Sequence, residues 1–191
     1  AFIDSMDNSL LLARVSQWKI DEGSGLSIND SWGTTIGALT NFNFDSSDGW
    51  RTGNQCVSDN CLEFDGSNDY VNLGTAFGNI GLDDFTISLW FNIPDDDSYR
   101  AFLAKGITNA NDFLLYKVPD SPDYIRLYCD AGGLDMTYNL WNENKWNNFT
   151  ITREGATAKM YVNGVQVKQD TSAAVNITNS HNLSLGASDD G

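Results

Sequence analysis

Apolar and polar residues alternate without a break over residues 85–93 (FTISLWFNI). Every second residue from Phe85 to Ile93 is apolar, and Trp90 lies with the polar residues on the opposite face. A period of two residues is typical of a β-strand that is buried on one side. The run Asp95–Asp97 follows a proline and is expected to form a solvated loop that ends the strand.

Similar short segments recur along the chain, separated by glycine, asparagine and aspartate. Further strands are predicted near residues 15–20, 38–44, 61–65, 70–73, 101–105, 113–117, 124–129, 135–140, 146–153, 158–162, 165–168 and 182–186. Asn163-Gly164 predicts a tight hairpin, because both residues tolerate the positive φ angles of a type I′ turn. Many short strands without a long helical period predict an all-β fold, either a sandwich or a jelly roll.

Helical spacing is confined to the start of the chain. Phe2, Met6 and Leu10 lie four residues apart, which predicts one amphipathic face. We therefore expect a short N-terminal helical stub or linker at residues 1–13, followed by the jelly roll at residues 14–191. The longest apolar run is only four residues, far short of the roughly 20 that a membrane-spanning helix requires.

The charge balance argues against two classes of partner. The 191 residues include 26 acidic and 11 basic side chains, a net charge of −15. Such a charge repels phosphate backbones and anionic lipid surfaces, so nucleic acid and membrane binding are not expected. Aspartate supplies 22 of the 26 acidic residues. Aspartate is typical of turns and of hard-cation sites, so we expect polar loops, some of which bind calcium.

The three cysteines fall into a close pair and a single residue. Cys56 and Cys61 bracket a polar four-residue turn, and we predict a disulfide between them, which implies an oxidising compartment. The alternative is two reduced thiols on neighbouring strands, whereas a zinc site needs two further ligands that the sequence does not offer. Cys129 shares a face with Ile125 and Leu127 and is expected to be a buried thiol.

An ordered set of short motifs resembles a known family. The set consists of WKIDEGSG from Trp18, CLEFDGSNDYV from Cys61, FTISLWFN from Phe85, WNNFTIT from Trp146, MYVNG from Met160 and LSLG from Leu183. In order and spacing these motifs resemble the laminin-G-like, concanavalin A-like jelly rolls of prokaryotic surface proteins. The resemblance covers residues 14–191. It implies an all-β, two-sheet antiparallel jelly-roll sandwich in an extracellular protein that binds a ligand.

The resemblance also leads to an expectation about the end of the chain. Members of this family continue after the Leu-Gly strand for roughly 20–30 residues, whereas this sequence stops at Gly191. We expect either that the chain is cut there or that another subunit supplies the missing edge strand, because an exposed sheet edge favours strand addition.

A calcium site is predicted from a second resemblance. Pentraxins look like distant relatives on this fold and hold calcium between two loops. The corresponding residues here are Asn111 and Asp112 before one strand, and Asp189 and Asp190 after another. Carboxylates on adjoining loops supply the oxygen ligands that Ca²⁺ prefers. The alternative is that all four are solvated turn residues.

The segment Asp65–Asp69 resembles the start of an EF-hand loop but lacks the bidentate glutamate further on. The sequence favours a tight hairpin there rather than a metal site. Trp90, Tyr138 and Trp141 are weak candidates for ligand binding, although a second layer of structure can cover such aromatic side chains.

Catalysis is not expected, and the catalytic set is predicted to be empty. Glycosidases on this sandwich commonly carry paired glutamates in one strand, and no two of the four glutamates here lie close in sequence. The single histidine, His181, is expected at the surface. The leading interpretation is an extracellular non-catalytic adhesion module that binds a glycan or protein, with calcium as cofactor. A structural head domain of a pilin-like filament and a glycoside-active enzyme are the two alternatives.

Overall fold

The computed structural model of the protein describes residues 16–76, 78–94, 96–106, 112–129 and 134–187. Strands dominate these residues, and one 3₁₀ turn is present at Gly53–Gln55. The predicted all-β sandwich is therefore confirmed. The predicted N-terminal helical stub, at residues 1–13, lies outside the described residues.

The described strands form two principal antiparallel sheets and one hairpin. The strands are β1 (Ser27–Asn29), β2 (Ile36–Thr40), β3 (Gly49–Thr52), β4 (Asn60–Glu63), β5 (Tyr70–Asn72), β6 (Phe85–Phe91), β7 (Arg100–Lys105), β8 (Phe113–Val118), β9 (Tyr124–Cys129), β10 (Leu134–Tyr138), β11 (Asn147–Glu154), β12 (Thr157–Val162), β13 (Val165–Asp170) and β14 (Leu183–Leu185). The larger sheet has the order β1-β2-β5-β14-β7-β8-β9-β10, the smaller sheet has the order β13-β12-β11-β6, and β3 pairs with β4.

The alternation in β6 shows why the two principal sheets pack together. Leu89 lies directly opposite Phe149 of β11, and both side chains join the core. Phe91, at the end of β6, stacks on Phe102 of β7 with ring centroids 4.7 Å apart. Full burial of a side chain such as Phe149 contributes about 1.5–3 kcal/mol. The core therefore lies between the smaller sheet and the larger one.

The predicted hairpin turn between β12 and β13 is confirmed. Asn163 and Gly164 have φ angles of 52° and 79°, in the left-handed region that both residues tolerate. The turn also contacts β11, because the Asn148 N–H donates to Asn163 Oδ1 at 2.9 Å.

Two of the predicted strands are wrong in extent. Residues 16–20 form no strand, and Trp18 makes a single bridge with Asp30. The strand predicted at 38–44 ends at Thr40, because Asn41 adopts a positive φ of 67°. Strands β1 and β3 were missed, since each is too short to show alternation.

The disulfide prediction is confirmed. Cys56 and Cys61 are bonded, with their Cα atoms 5.5 Å apart, and they close the turn between β3 and β4. Cys129 is buried on the core side of β9 and is not part of a disulfide. Its neighbours on that face, Ile125 and Leu127, are fully buried as the alternation predicts.

A buried lysine takes the place of an apolar residue near the end of core strand β8. Lys117 continues the core-facing alternation of β8 and is fully buried. Its Nζ lies 2.6 Å from Asp123 Oδ2 and 3.1 Å from Asp96 Oδ1, and Asp96 also pairs with Arg100. The expectation that Asp95–Asp97 forms a merely solvated loop is therefore wrong for Asp96, because the ion pairs hold its carboxylate against the fold.

Candidate functional site

The solvent side of the smaller sheet carries a continuous polar and aromatic surface, which we call the outer face. It consists of the side chains that alternate with the core residues of β6, β11 and β12, namely Thr86, Ser88, Trp90, Asn148, Thr150, Thr152, Lys159 and Tyr161. The same period of two that buries one side of each strand places these residues on the other side.

The strand register places the outer-face residues in cross-strand rows. Thr150 lies opposite Ser88 of β6 and opposite Tyr161 of β12. Trp90 lies opposite Asn148, next to this row. Directly opposed side chains in an antiparallel pair are within contact distance, so the aromatic rings adjoin a patch of hydroxyl and amide groups.

Hydrogen bonds between the side chains fix the positions of the polar groups. The hydroxyl oxygens of Ser88 and Thr150 lie 2.9 Å apart. Asn148 Nδ2 donates to Ser88 Oγ at 3.2 Å, and the Thr150 hydroxyl donates to Asn148 Oδ1 at 3.1 Å. A hydroxyl has two acceptor sites and an amide oxygen also has two, so the network retains capacity for a further polar ligand.

The disulfide-closed turn borders the outer face. The Trp146 indole N–H donates to the Gln55 carbonyl oxygen at 2.9 Å, which holds the turn beside the start of β11. Trp90 is 54% exposed, so a large apolar ring is available to a ligand.

The outer face suits a ligand that has both apolar and hydroxyl surfaces. An exposed indole packs against flat apolar ligand surfaces, and the neighbouring hydroxyl and amide groups exchange hydrogen bonds with polar substituents. Although the chain has a net charge of −15, Lys159 is the one charged side chain among the eight that define the outer face. The surface therefore favours an uncharged, polyhydroxylated ligand over a cation.

The other two aromatic candidates do not belong to this surface. Tyr138 and Trp141 are partly buried and pack against the hydrophobic core. Neither residue lies in the strands β6, β11 and β12 that form the outer face. Tertiary packing thus separates the three aromatic candidates that the sequence had grouped together.

Three of the four residues of the predicted calcium site, Asn111, Asp189 and Asp190, lie outside the described residues. Asp112, the fourth, is fully buried. Its Oδ1 accepts a hydrogen bond from Asn179 Nδ2 at 3.1 Å. A calcium site at these four residues therefore stays a prediction.

A second group of carboxylates was not predicted from the sequence. Asp48, Asp65 and Asp69 each offer an oxygen, and these oxygens lie within 4.8 Å of one another. Asp65 and Asp69 belong to the segment for which the sequence favoured a simple hairpin. Asp48 joins them from the loop that precedes β3, and no local pattern in the sequence signals that approach.

The carboxyls of this group are not electrostatically equivalent. Burial acts to raise the pKa of Asp48, but hydrogen bonds from the backbone N–H groups of Asn43 and Phe44 lower it below its ordinary value. The pKa of Asp69 is raised, first by burial and then by the negative charge of Asp65. The hydrogen bond that Asp69 accepts from the Asp65 N–H is not enough to reverse this shift.

The glutamates lie in varied surroundings. Glu63 is paired with Arg51, Glu22 accepts hydrogen bonds from Asn29, and Glu143 and Glu154 are exposed.

In the residues that the structure describes, no helix is long and apolar enough to cross a membrane.

Comparison with known proteins supports the predicted fold family. A laminin-G family model of the concanavalin A-like lectin/glucanases superfamily matches residues 65–191. No curated protein matches the chain. Domain 4 of AbnA, a GH43 extracellular arabinanase from Geobacillus stearothermophilus solved in complex with arabinotriose, matches 84% of this chain over 78% of its own, with a TM-score of 0.60 and 16% identity.

A second solved structure extends the comparison. The enzymatically active domain of tailspike protein 2 from bacteriophage CBA120 matches 74% of this chain over 24% of its own, with a TM-score of 0.54 and 12% identity. At these identities the two similarities concern the fold alone.

Proposed function

Because this chain belongs to the concanavalin A-like lectin/glucanases superfamily, we propose that it is an extracellular, non-catalytic module that binds a neutral oligosaccharide on its outer face. The observation that carries the proposal is the exposed Trp90 indole beside the hydrogen-bonded group of Ser88, Asn148 and Thr150.

The chemistry of the outer face supports a sugar ligand. A pyranose or furanose ring has an apolar face that packs on an indole and a rim of hydroxyl groups that need partners. Trp90 supplies the first surface, and the ordered polar groups supply the second. These groups already sit in strands, so little side-chain freedom is lost on binding.

Two further findings support the ligand class and the compartment. Domain 4 of AbnA, which shares this fold, was solved with arabinotriose, so an oligosaccharide is a ligand class that the fold accommodates. The Cys56–Cys61 disulfide is typical of proteins in an oxidising environment outside the cytosol.

Binding to a panel of neutral oligosaccharides, with arabinotriose included, tests the proposal by calorimetry. We expect at least one ligand to bind, and we expect Trp90→Ala to weaken its Kd about tenfold, which corresponds to about 1.4 kcal/mol. Leu140→Ala is the matched control, because Leu140 is 70% exposed and lies outside the strands of the outer face. That variant should bind as the wild type does.

Three results would contradict this proposal. They are the absence of binding across the panel, binding that Trp90→Ala leaves unchanged, and release of new reducing ends from the bound sugar. The last result would favour the glycoside-active alternative.

A further inference from the structure

The carboxylates of Asp48, Asp65 and Asp69 converge where two loops meet at the base of the β3–β4 hairpin. One loop, residues 41–48, leads from β2 into β3, and the other, residues 64–69, leads from β4 into β5. We refer to the three carboxylates as the hairpin-base cluster. Its oxygens lie within 4.8 Å of one another.

The two loops are held together independently of the carboxylates. The rings of Phe42 and Phe64 are in contact, with centroids 5.3 Å apart. Asn41 Nδ2 donates to the Asn68 carbonyl oxygen at 3.0 Å. The approach of the three carboxylates therefore follows from loop packing, and it persists although they repel one another.

Backbone hydrogen bonds orient each carboxylate. Asp48 Oδ1 accepts from the Phe44 N–H at 2.6 Å. Asp65 Oδ1 accepts from the Ser67 N–H at 2.7 Å, and Asp69 Oδ2 accepts from the Asp65 N–H at 2.9 Å. Because the backbone fixes these groups, one oxygen of each is held within 4.8 Å of the others before any ligand binds.

One oxygen of the cluster has no hydrogen-bond partner. Asp69 Oδ1 is buried and accepts no hydrogen bond from the described residues, and Asp69 as a whole is only 3% exposed. A buried carboxylate oxygen without a partner has lost its hydration without gaining a hydrogen bond, which carries a free-energy cost. The group needs a proton or a cation to remove that cost.

The chain supplies no ion pair to this cluster within the described ranges. The nearby guanidinium of Arg51 pairs with Glu63, and its Nη1 donates to the main-chain oxygen of Asp48 rather than to the carboxylate. The three carboxylates thus face one another without a salt bridge to a basic side chain.

We propose that the hairpin-base cluster is a binding site for one divalent hard cation, with Ca²⁺ as the fitting ion. Two oxygens that bind the same Ca²⁺ from opposite sides at about 2.4 Å are about 4.8 Å apart, so oxygens within that separation can share one ion. Carboxylate oxygens select a hard cation, and Ca²⁺ tolerates irregular geometry better than Mg²⁺ does. Zinc prefers nitrogen and sulfur ligands, and the cluster offers neither.

The ion would join the two ends of the β3–β4 hairpin. Asp48 directly precedes β3, and Asp65 follows β4 by two residues. Binding to the folded state alone stabilises the fold by mass action. This site is separate in residues from the predicted site at Asn111, Asp112, Asp189 and Asp190.

Calorimetric and thermal titration of the whole chain tests this site, starting from chelator-treated and dialysed protein. We expect CaCl₂ to bind and to raise the Tm, with MgCl₂ giving a smaller rise. Asp65→Asn should weaken the Kd for Ca²⁺ at least tenfold. Asp65 is exposed and an asparagine can still accept from the Ser67 N–H, so the variant is expected to fold.

Asp170→Asn is the matched control, because Asp170 Oδ1 accepts from the Ser172 N–H at 2.6 Å in the same local arrangement, outside the cluster. This variant should bind Ca²⁺ as the wild type does. Asp69→Asn is a second variant that we expect to lose the calcium response. The Tm of its calcium-free form shows whether the variant is folded.

Three outcomes would overturn the proposal. If Ca²⁺ neither binds nor changes the Tm, the hairpin-base cluster is not a calcium site. If Asp65→Asn and Asp69→Asn retain the full response, calcium binds elsewhere on the chain. If Asp170→Asn loses the response as completely as Asp65→Asn, the effect is one of general acidity and not of this site.

Discussion

Two groups of aspartates in this protein meet opposite electrostatic conditions. Around Lys117, two carboxylates face a buried ammonium group at 2.6 Å and 3.1 Å, and Arg100 adds a second positive charge to Asp96. In the hairpin-base cluster three carboxylates face one another, and no ion pair in the described part of the chain includes them.

The pKa of Asp69 shifts in the opposite direction to the pKa values of the two carboxyls beside Lys117. The hydrogen bond from Lys117 lowers the pKa of Asp123. The pKa of Asp96 is also lowered, because hydrogen bonds from Arg100 and Lys117 outweigh the effect of its burial. Burial raises the pKa of Asp69. The comparison shows that carboxylates converge in this fold in two ways. Around Lys117 a basic side chain of the protein balances their charge, whereas in the hairpin-base cluster no basic side chain among the described residues pairs with them.

Removing the built-in cation is expected to have the largest effect. Lys117→Met should lower the free energy of unfolding by about 3 kcal/mol, because it leaves Asp96 and Asp123 without their buried partner. Urea denaturation at pH 7 measures the change. Lys159→Met, on the outer face, is the matched control and should change stability by at most about 0.5 kcal/mol. Equal effects of the two substitutions would contradict the assigned role of Lys117.

Removing a charge from the hairpin-base cluster should increase stability, whereas removing the charge of Lys117 should decrease it. Without calcium, Asp69→Asn is expected to raise the free energy of unfolding by about 1 kcal/mol, because it removes a buried charge that has one unpartnered oxygen and no ion pair among the described residues. Asp123→Asn should lower stability, since its charge is paired. Urea denaturation in the presence of chelator compares the two variants. A change in the free energy of unfolding of the same sign in both would contradict the difference between the two groups of aspartates.

The pH dependence of stability provides the smallest expected effect. Because the folded-state pKa values of Asp96 and Asp123 are lowered, their contribution is complete above the unfolded aspartate pKa of about 3.9 and is lost as the pH falls further. The pKa of Lys117 is raised, since its hydrogen bonds to Asp123 and Asp96 outweigh burial. The contribution of Lys117 to stability is complete below about pH 10.4, the pKa of an unfolded lysine. It is lost as the pH rises through the pKa of Lys117 in the folded state.

Thermal unfolding across the pH range tests this window. We expect these ion pairs to contribute fully between about pH 5 and pH 9 and to weaken at both ends. In Asp123→Asn the acid-side decline should become shallower. An unchanged acid-side slope in that variant would show that the Lys117 pair does not contribute to the decline.

Local patterns were sufficient for much of the fold. The alternation over residues 85–93 predicted both the buried side of β6 and the outward direction of Trp90. Asn163-Gly164 predicted its turn, and the short spacing of Cys56 and Cys61 predicted the disulfide. Each of these features depends on residues that are neighbours in sequence, so backbone geometry and side-chain period decide them.

Features that depend on distant segments were not accessible in the same way. Trp90 and Tyr138 are both aromatic residues at strand positions, yet packing leaves the first exposed and holds the second against the core. Asp48 meets Asp69 only because the loops on either side of the β3–β4 hairpin pack together. A residue's type and spacing set which face of its strand it occupies, but the sheet order and the loop contacts decide what that face meets, because they arise from pairing between segments far apart in the chain.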